Sequence, residues 1–275
     1  MKNIVVPVDF SDNSENALVF ACELNKKFNG TISLLHSYHV PIPVSDTGIL
    51  PISDNEVRKI ALDGLNRMRK EAERKFPEAK INIHATLGMA DIEIPAYAKK
   101  NKCDLIIMGT HGASGIGEFL IGSNAASVME NSTIPVMAIP DKAKFNGMKT
   151  IVFAADYGNH NFNHMHFLID FAKCFDAEII MLHITSGKIE DNFEDLEIGR
   201  FKERIIKESG YKNISYRLLE DKDVFHGMNL YLDQFPPDLL AMSMHDRTLA
   251  QRIFGRSLTK RMAYHSHVPV LALHI

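Results

Sequence analysis

The second half of this chain repeats the first, and that duplication limits what it can fold into more than any other feature. Ile151-Val152-Phe153-Ala154-Ala155-Asp156-Tyr157 matches Ile4-Val5-Val6-Pro7-Val8-Asp9-Phe10. Ile180-Met181-Leu182-His183 matches Ser33-Leu34-Leu35-His36 at the same offset. Asp238-Leu239-Leu240-Ala241-Met242 matches Asp104-Leu105-Ile106-Ile107-Met108, and Val268–Leu273 matches Ile134–Ile139. Four matched apolar segments in one order define two copies of a domain, residues 1–141 and 148–275, joined by a polar linker.

Within the first copy, short β-branched runs alternate with helical patterns. Lys2 to Val8 reads as a buried strand, and Asp9-Phe10-Ser11-Asp12 turns it into a helix with Ser11, Asp12 or Asn13 as its cap. Ala17, Leu18, Ala21, Cys22 and Leu24 then recur at helical spacing up to a stop near Gly30. Thr31 to Ser37 is a second strand, followed by a long Pro-containing connection, Tyr38 to Ile52. Ser53-x-x-Glu56 has the form of a capping box ahead of a helix reaching about Phe76. Strands at Ile81–Leu87, Leu105–Met108 and Ile134–Ile139 flank helices at Ala90–Lys100 and from Ser123. This alternation predicts, in each half, a Rossmann-like α/β domain: a doubly wound, mainly parallel five-stranded sheet with helices on both faces.

The densest chemistry follows the strand Leu105–Met108. The spacing is Gly109-x2-Gly112-x9-Gly122-Ser123, with Gly115 and Gly117 between, and it opens a helical segment carrying Ala126, Val128 and Met129. A strand, a glycine-rich loop and a helix start make a phosphate cradle, because the first-turn N–H groups and the helix dipole both favour an anion. A lone glycine pair here would be a tight turn. The full spacing, ending on a hydroxyl residue, says more. No Lys follows the last glycine, so this is not the P-loop, and the three-glycine dinucleotide fingerprint is absent after the first strand.

The Gly109-x2-Gly112-x9-Gly122-Ser123 pattern resembles the ATP-binding signature of universal stress proteins, and Ile4–Ser11 resembles that family's first strand and turn. The resemblance spans nearly the whole chain as two domains in tandem. It implies that Pro7, Val8 and Ser37 line an adenine pocket and that Asp9 contacts adenine or ribose. Met108 and Gly109 would give main-chain contacts beside base and ribose. Gly112, Gly122, Ser123 and Asn124 would cradle the phosphates. For Asp9 a helix-cap or turn role competes on equal terms, and Asp156 repeats it in the second half. For Pro7, Val8 and Ser37 the competing reading is an ordinary strand end.

In the second half Ser243-Met244-His245-Asp246 replaces Gly109-Thr110-His111-Gly112, and Arg256-Ser257 replaces Gly122-Ser123. Asp246 would set a carboxylate against phosphate oxygens. The resemblance therefore implies an ATP-binding first domain, with Mg²⁺ accompanying the phosphates, and a degenerate, structural second one. It also implies an intrachain pseudo-dimer through the last strands, Ile134–Ile139 and Val268–Leu273, and leaves room for a homodimer.

Composition narrows the function classes. A net charge of −3 gives no electrostatic footprint for nucleic acid or an anionic membrane. No apolar run approaches the ~20 residues of a membrane span, and no signal-peptide pattern opens the chain. Three scattered cysteines, Cys22, Cys103 and Cys174, suit a reducing cytoplasm. The 13 histidines invite a metal, yet no His/Cys/Asp set has zinc spacing. The repeated pairs His36/His183 and His111/His245 read as packing or loop geometry. No residue stands out to activate water, so the expectation is an ATP-binding protein of stress response or nucleotide-dependent regulation. A slow Mg-dependent ATPase and a ligand-free interaction module are the alternatives.

Overall fold

The computed structural model describes residues 1–40, 53–110, 122–154, 161–185, 192–244 and 268–274. It separates into two compact units with the boundary between Asp141 and Lys142.

The first unit runs β1 (Asn3–Pro7), α1 (Asp12–Phe28), β2 (Thr31–Tyr38), α2 (Asp54–Lys75), β3 (Lys80–Leu87), α3 (Ala90–Lys100), β4 (Leu105–Gly109), α4 (Ser123–Asn131) and β5 (Val136–Ile139). Its strands lie in the order β3-β2-β1-β4-β5, and every pairing is parallel. Ile4 to Val6 and Leu105 to Ile107 are buried, as expected of central strands covered on both faces. The chain leaves β1 toward β2 on one side and returns beside it as β4, so the order reverses between β1 and β4. That is the crevice in which doubly wound sheets take their ligands.

The second unit repeats the plan with β6 (Thr150–Ala154), α5 (Asn161–Phe175), β7 (Glu178–Thr185), α6 (Asn192–Ser209), β8 (Ile214–Glu220), α7 (Val224–Gln234), β9 (Leu239–Ser243) and β10 (Val270–Leu273). Its strand order is β8-β7-β6-β9-β10, again all parallel. The expected Rossmann-like α/β fold is therefore present twice.

Local signals explain the element ends. Ser11 caps α1, its hydroxyl accepting from the Ser14 N–H at 3.3 Å, with Asp12 and Glu15 in the first turn and Lys26 and Lys27 in the last. The capping box of α2 forms as expected: the Ser53 N–H donates to Glu56 at 3.0 Å and the Glu56 N–H to the Ser53 hydroxyl at 3.3 Å. The Ser53 N–H and hydroxyl hold the Glu56 carboxyl below its usual range.

One stop signal works differently from its sequence reading. The left-handed residue that ends α1 is Asn29, at φ 49°, and not Gly30. Gly30 is needed for space, since a Cβ there would lie 2.5 Å from the carbonyl oxygen of Lys2, the residue before β1. Asn25 holds the turn, accepting from the Gly30 N–H at 2.9 Å and donating to the Gly30 carbonyl at 3.2 Å.

The duplication extends to a hydrogen-bond device at the mouth of the first strand of each unit. Asp104 accepts from the Lys2 N–H at 2.5 Å and the Asn3 N–H at 2.9 Å. Asp238 accepts from the Lys149 N–H at 2.7 Å and the Thr150 N–H at 2.9 Å. Each carboxylate pins the start of its unit's first strand to the residue that opens the fourth. Asp104→Ala and Asp238→Ala are each expected to cost about 1–2 kcal/mol, the lower part of the range for bonds to a charged group because these sites meet solvent. Urea unfolding of each variant measures it, and unchanged midpoints would show the bonds to be idle.

Candidate functional site

A cleft of about 280 Å³ opens at the C-terminal ends of β1 and β4, near the lower bound of ordinary ligand pockets, ~300–1,000 Å³. Strand register creates it. The β1–β2 ladder ends at Pro7 and Leu35, while β2 continues beside β3 as far as Tyr38 and Leu87. Ser37 thus carries main-chain groups past the end of β1. On the other side, β1 pairs with β4 only at Ile4 with Leu105 and Val5 with Ile106. Beyond those residues the two strands part.

Pro7, Val8 and Asp9 form one wall of the cleft, Ser37 another, and Met108 and Gly109 the floor at the end of β4. Gly122, Ser123 and Asn124 close it from the start of α4. Nine of the ten residues singled out in the sequence therefore line one cavity. The tenth, Gly112, lies outside the described residues, as do Gly115, Gly117 and His111.

The polar groups of this wall are already organised. The Val8 N–H donates to the Leu35 carbonyl at 2.9 Å, and the Val8 carbonyl lies 2.7 Å from Nδ1 of His36. Val8 therefore offers its side chain rather than its peptide to a ligand. Asp9 accepts from the Ser11 N–H at 3.1 Å and from its hydroxyl. It closes the turn into α1 and lines the cleft, so the geometry contains both roles read for it. Phe10, in between, is held at φ 65°, which is costly for a bulky residue. Its ring stacks on His36 at 4.4 Å, and it lies so close to α2 that a Cβ on Gly64 would come within 2.7 Å of it.

Several lining residues were not legible beforehand. His36, expected as a packing residue, lines the cleft as well as bonding Val8. Met89, Ala90 and Asp91 reach it from the start of α3, and Thr110 from the end of β4. The signal for them was positional: each follows a strand's C-terminal end, which in a doubly wound sheet faces the crevice. The long connection falls outside the described residues from 41 to 52, but its two ends are tied. The hydroxyl of Tyr38 donates to Asp54 at 3.1 Å. Burial, and then the Asp54 carboxylate, pushes its pKa up.

Charge distinguishes the helix starts. α1 and α2 carry Ser caps and acids in their first turns, and α3 carries Asp91 and Glu93. α7 is capped by Asp223, which accepts from the Phe225 N–H at 3.0 Å. Among helices whose caps are described, α4 alone has neither a side-chain cap nor a first-turn acid. Its N-cap is Gly122, whose N–H donates to the Thr110 carbonyl at 2.6 Å. Among the described residues, the positive end of α4 thus meets the cleft with no side-chain cap and no acid in its own first turn.

The second unit differs at the matching corner. Ser243, buried, stands where Gly109 ends β4. α7, the counterpart of α3, likewise begins among carboxylates, Asp221 and Asp223, with Nδ1 of His226 2.7 Å from Asp221. The Asp223 N–H, and then His226, hold the Asp221 carboxyl below its usual range. His245, Asp246, Arg256 and Ser257 lie outside the described residues. The three cysteines are free thiols. Burial pushes Cys22 up to about 12 and Cys103 up to about 11, which keeps both protonated and unreactive.

Comparison with known proteins follows the same division. The sequence model of the universal stress protein family matches residues 1–140 and again 147–274. Universal stress protein MJ0531 of Methanocaldococcus jannaschii is 30% identical over 147 residues, 52% of this chain and 84% of that protein. Universal stress protein YxiE of Bacillus subtilis is 32% identical over 145 residues, 50% of this chain and 97% of its own. Among solved structures, a universal stress protein from Archaeoglobus fulgidus aligns over 99% of this chain and 96% of its own. Its TM-score is 0.65 at 19% identity, a likeness of fold. With two matched domains covering nearly its whole length, this chain belongs to the universal stress protein family.

Proposed function

We propose that the first domain binds an adenine nucleotide, ATP with its Mg²⁺, and that the protein acts through that binding in stress response or nucleotide-dependent regulation. The observation that carries the reading is the bare start of α4. A helix that meets a cleft with neither a side-chain cap nor an acid in its own first turn is suited to an anion, and the glycine spacing before it admits phosphate. At the other end of the cleft, β2 runs past β1 and presents main-chain edges at Ser37, which suit the edge of a base. Asp9, between them, suits a ribose hydroxyl or the base.

In this reading the second domain is structural. Ser243 replaces the first glycine, and in the sequence Asp246 and Arg256 stand where the first domain has Gly112 and Gly122. The site holds nucleotide rather than turning it over, with slow Mg-dependent hydrolysis as the enzymatic alternative. The free cysteines fit a reducing cytoplasm. Among the described residues no helix is long and apolar enough to cross a membrane.

Thermal unfolding with and without Mg-ATP tests the proposal. A ligand bound only by the folded protein adds about 2.7 kcal/mol of stability at 100 times its dissociation constant. The expected result is a rise of several degrees in the melting temperature. No rise, in protein shown to carry no nucleotide, would overturn the proposal and favour the interaction module.

A further inference from the structure

We propose that Asn13, in the first turn of α1, positions the loop ends and helix start that hold the phosphates, and so sets how well the cleft tells a nucleotide from its nucleoside. The inference rests on the nucleotide reading above. In the sequence Asn13 is a candidate cap for α1. In the fold Ser11 takes that role, and Asn13 turns its side chain to β4, where it is only 7% exposed.

The packing there is close. A Cβ on Gly109 would lie 2.8 Å from Asn13 Cγ and 2.9 Å from its Nδ2, so the amide rests flush on the last residue of β4. Asn13 Nδ2 donates to the Thr110 hydroxyl at 3.4 Å, a long bond that shares the task with packing. Thr110 is 6% exposed and doubly held: its N–H donates to the Ile139 carbonyl at 3.0 Å, and its carbonyl accepts from the Gly122 N–H at 2.6 Å. Contacts therefore run without a break from α1 through Thr110 to the N-cap of α4. Asn13 does not line the cleft, so it acts through Thr110 as a positioning residue.

The two ends of the ligand then depend on different parts of the protein. The base end is shaped by Val8 and by the overhang of β2 at Ser37. The phosphate end depends on where Thr110 and Gly122 are held. Disturbing Asn13 should weaken a triphosphate and spare the nucleoside, which a general loss of structure would not do.

The test uses the full chain with Asn13→Ala and with Asn13→Leu, which keeps bulk against Gly109 and guards against a variant that fails to fold. Calorimetry gives affinities for Mg-ATP and adenosine, and amide hydrogen exchange in ligand-free protein follows the Gly122 N–H. In Asn13→Ala, ATP affinity is expected to fall by roughly tenfold, the scale of one lost hydrogen bond, with adenosine affinity unchanged. Asn13→Leu should fall less. Gly122 exchange should quicken in both while Val5 and Ile107 stay protected. Equal weakening of ATP and adenosine, or unchanged Gly122 exchange, would overturn the inference. A wild type that binds neither ligand would sink the nucleotide reading and the discrimination with it. Gly122 exchange would still decide whether Asn13 holds the loop.

Discussion

Gly122→Asp is expected to abolish the ATP-dependent rise in melting temperature while leaving the ligand-free protein as stable as wild type, or slightly more so. The two effects have one cause. Gly122 is the N-cap of α4, at φ −60° and ψ 155°, a conformation any residue adopts. Asp is among the best N-cap residues, and its charge favours a helix start by roughly 0.3–1 kcal/mol. The new carboxylate supplies what α4 lacks and occupies the place where a phosphate would sit. All of the stabilisation by ATP, about 2.7 kcal/mol at 100 times the dissociation constant, should vanish. Differential scanning fluorimetry of both proteins with and without Mg-ATP decides the matter. A mutant that keeps the shift places the phosphates elsewhere, and one that melts far below wild type without ligand refutes the capping argument.

The second large effect is expected at the other end of the loop. Gly109→Ala should destabilise the first domain by about 1–3 kcal/mol, the usual cost of forcing an extra carbon into a packed interior. The cause is not backbone conformation, since Gly109 is not among the residues with positive φ. The new Cβ would meet the Asn13 amide at 2.8 Å. Shortening that amide should therefore relieve the clash. Asn13→Ala combined with Gly109→Ala is expected to recover most of the lost stability, a coupling within the 0.5–3 kcal/mol found between touching residues. Urea unfolding of the two single variants and the double variant gives the coupling directly. Strictly additive losses would mean that Gly109 is needed for some reason other than Asn13.

These two glycines show how unevenly the site can be read from a sequence. Both belong to a spacing that resembles a phosphate loop, and a ligand explains them equally well there. In the folded chain they differ: Gly122 leaves a helix start bare, whereas Gly109 makes room for a buried neighbour 96 positions earlier in the sequence. His36 has a similar history. Its repetition as His183 suggested packing, and its bond to Val8 is packing, yet the same ring lines the cleft.

What the sequence determined by itself was local or periodic. Apolar runs, their alternation with helical faces and their recurrence at His183, Asp238 and Pro269 specified two doubly wound α/β units. Ser53 and Glu56 specified their capping box, because both partners lie within one helical turn. What only the tertiary structure decided depends on groups far apart in sequence. Asp104 reaches the start of β1, the Cβ missing from Gly30 clears the Lys2 carbonyl, and Asn13 settles on Gly109 and Thr110. Periodicity records which face of an element is buried, but not which distant atom it will touch, since that depends on strand register and on how closely each helix packs against its sheet.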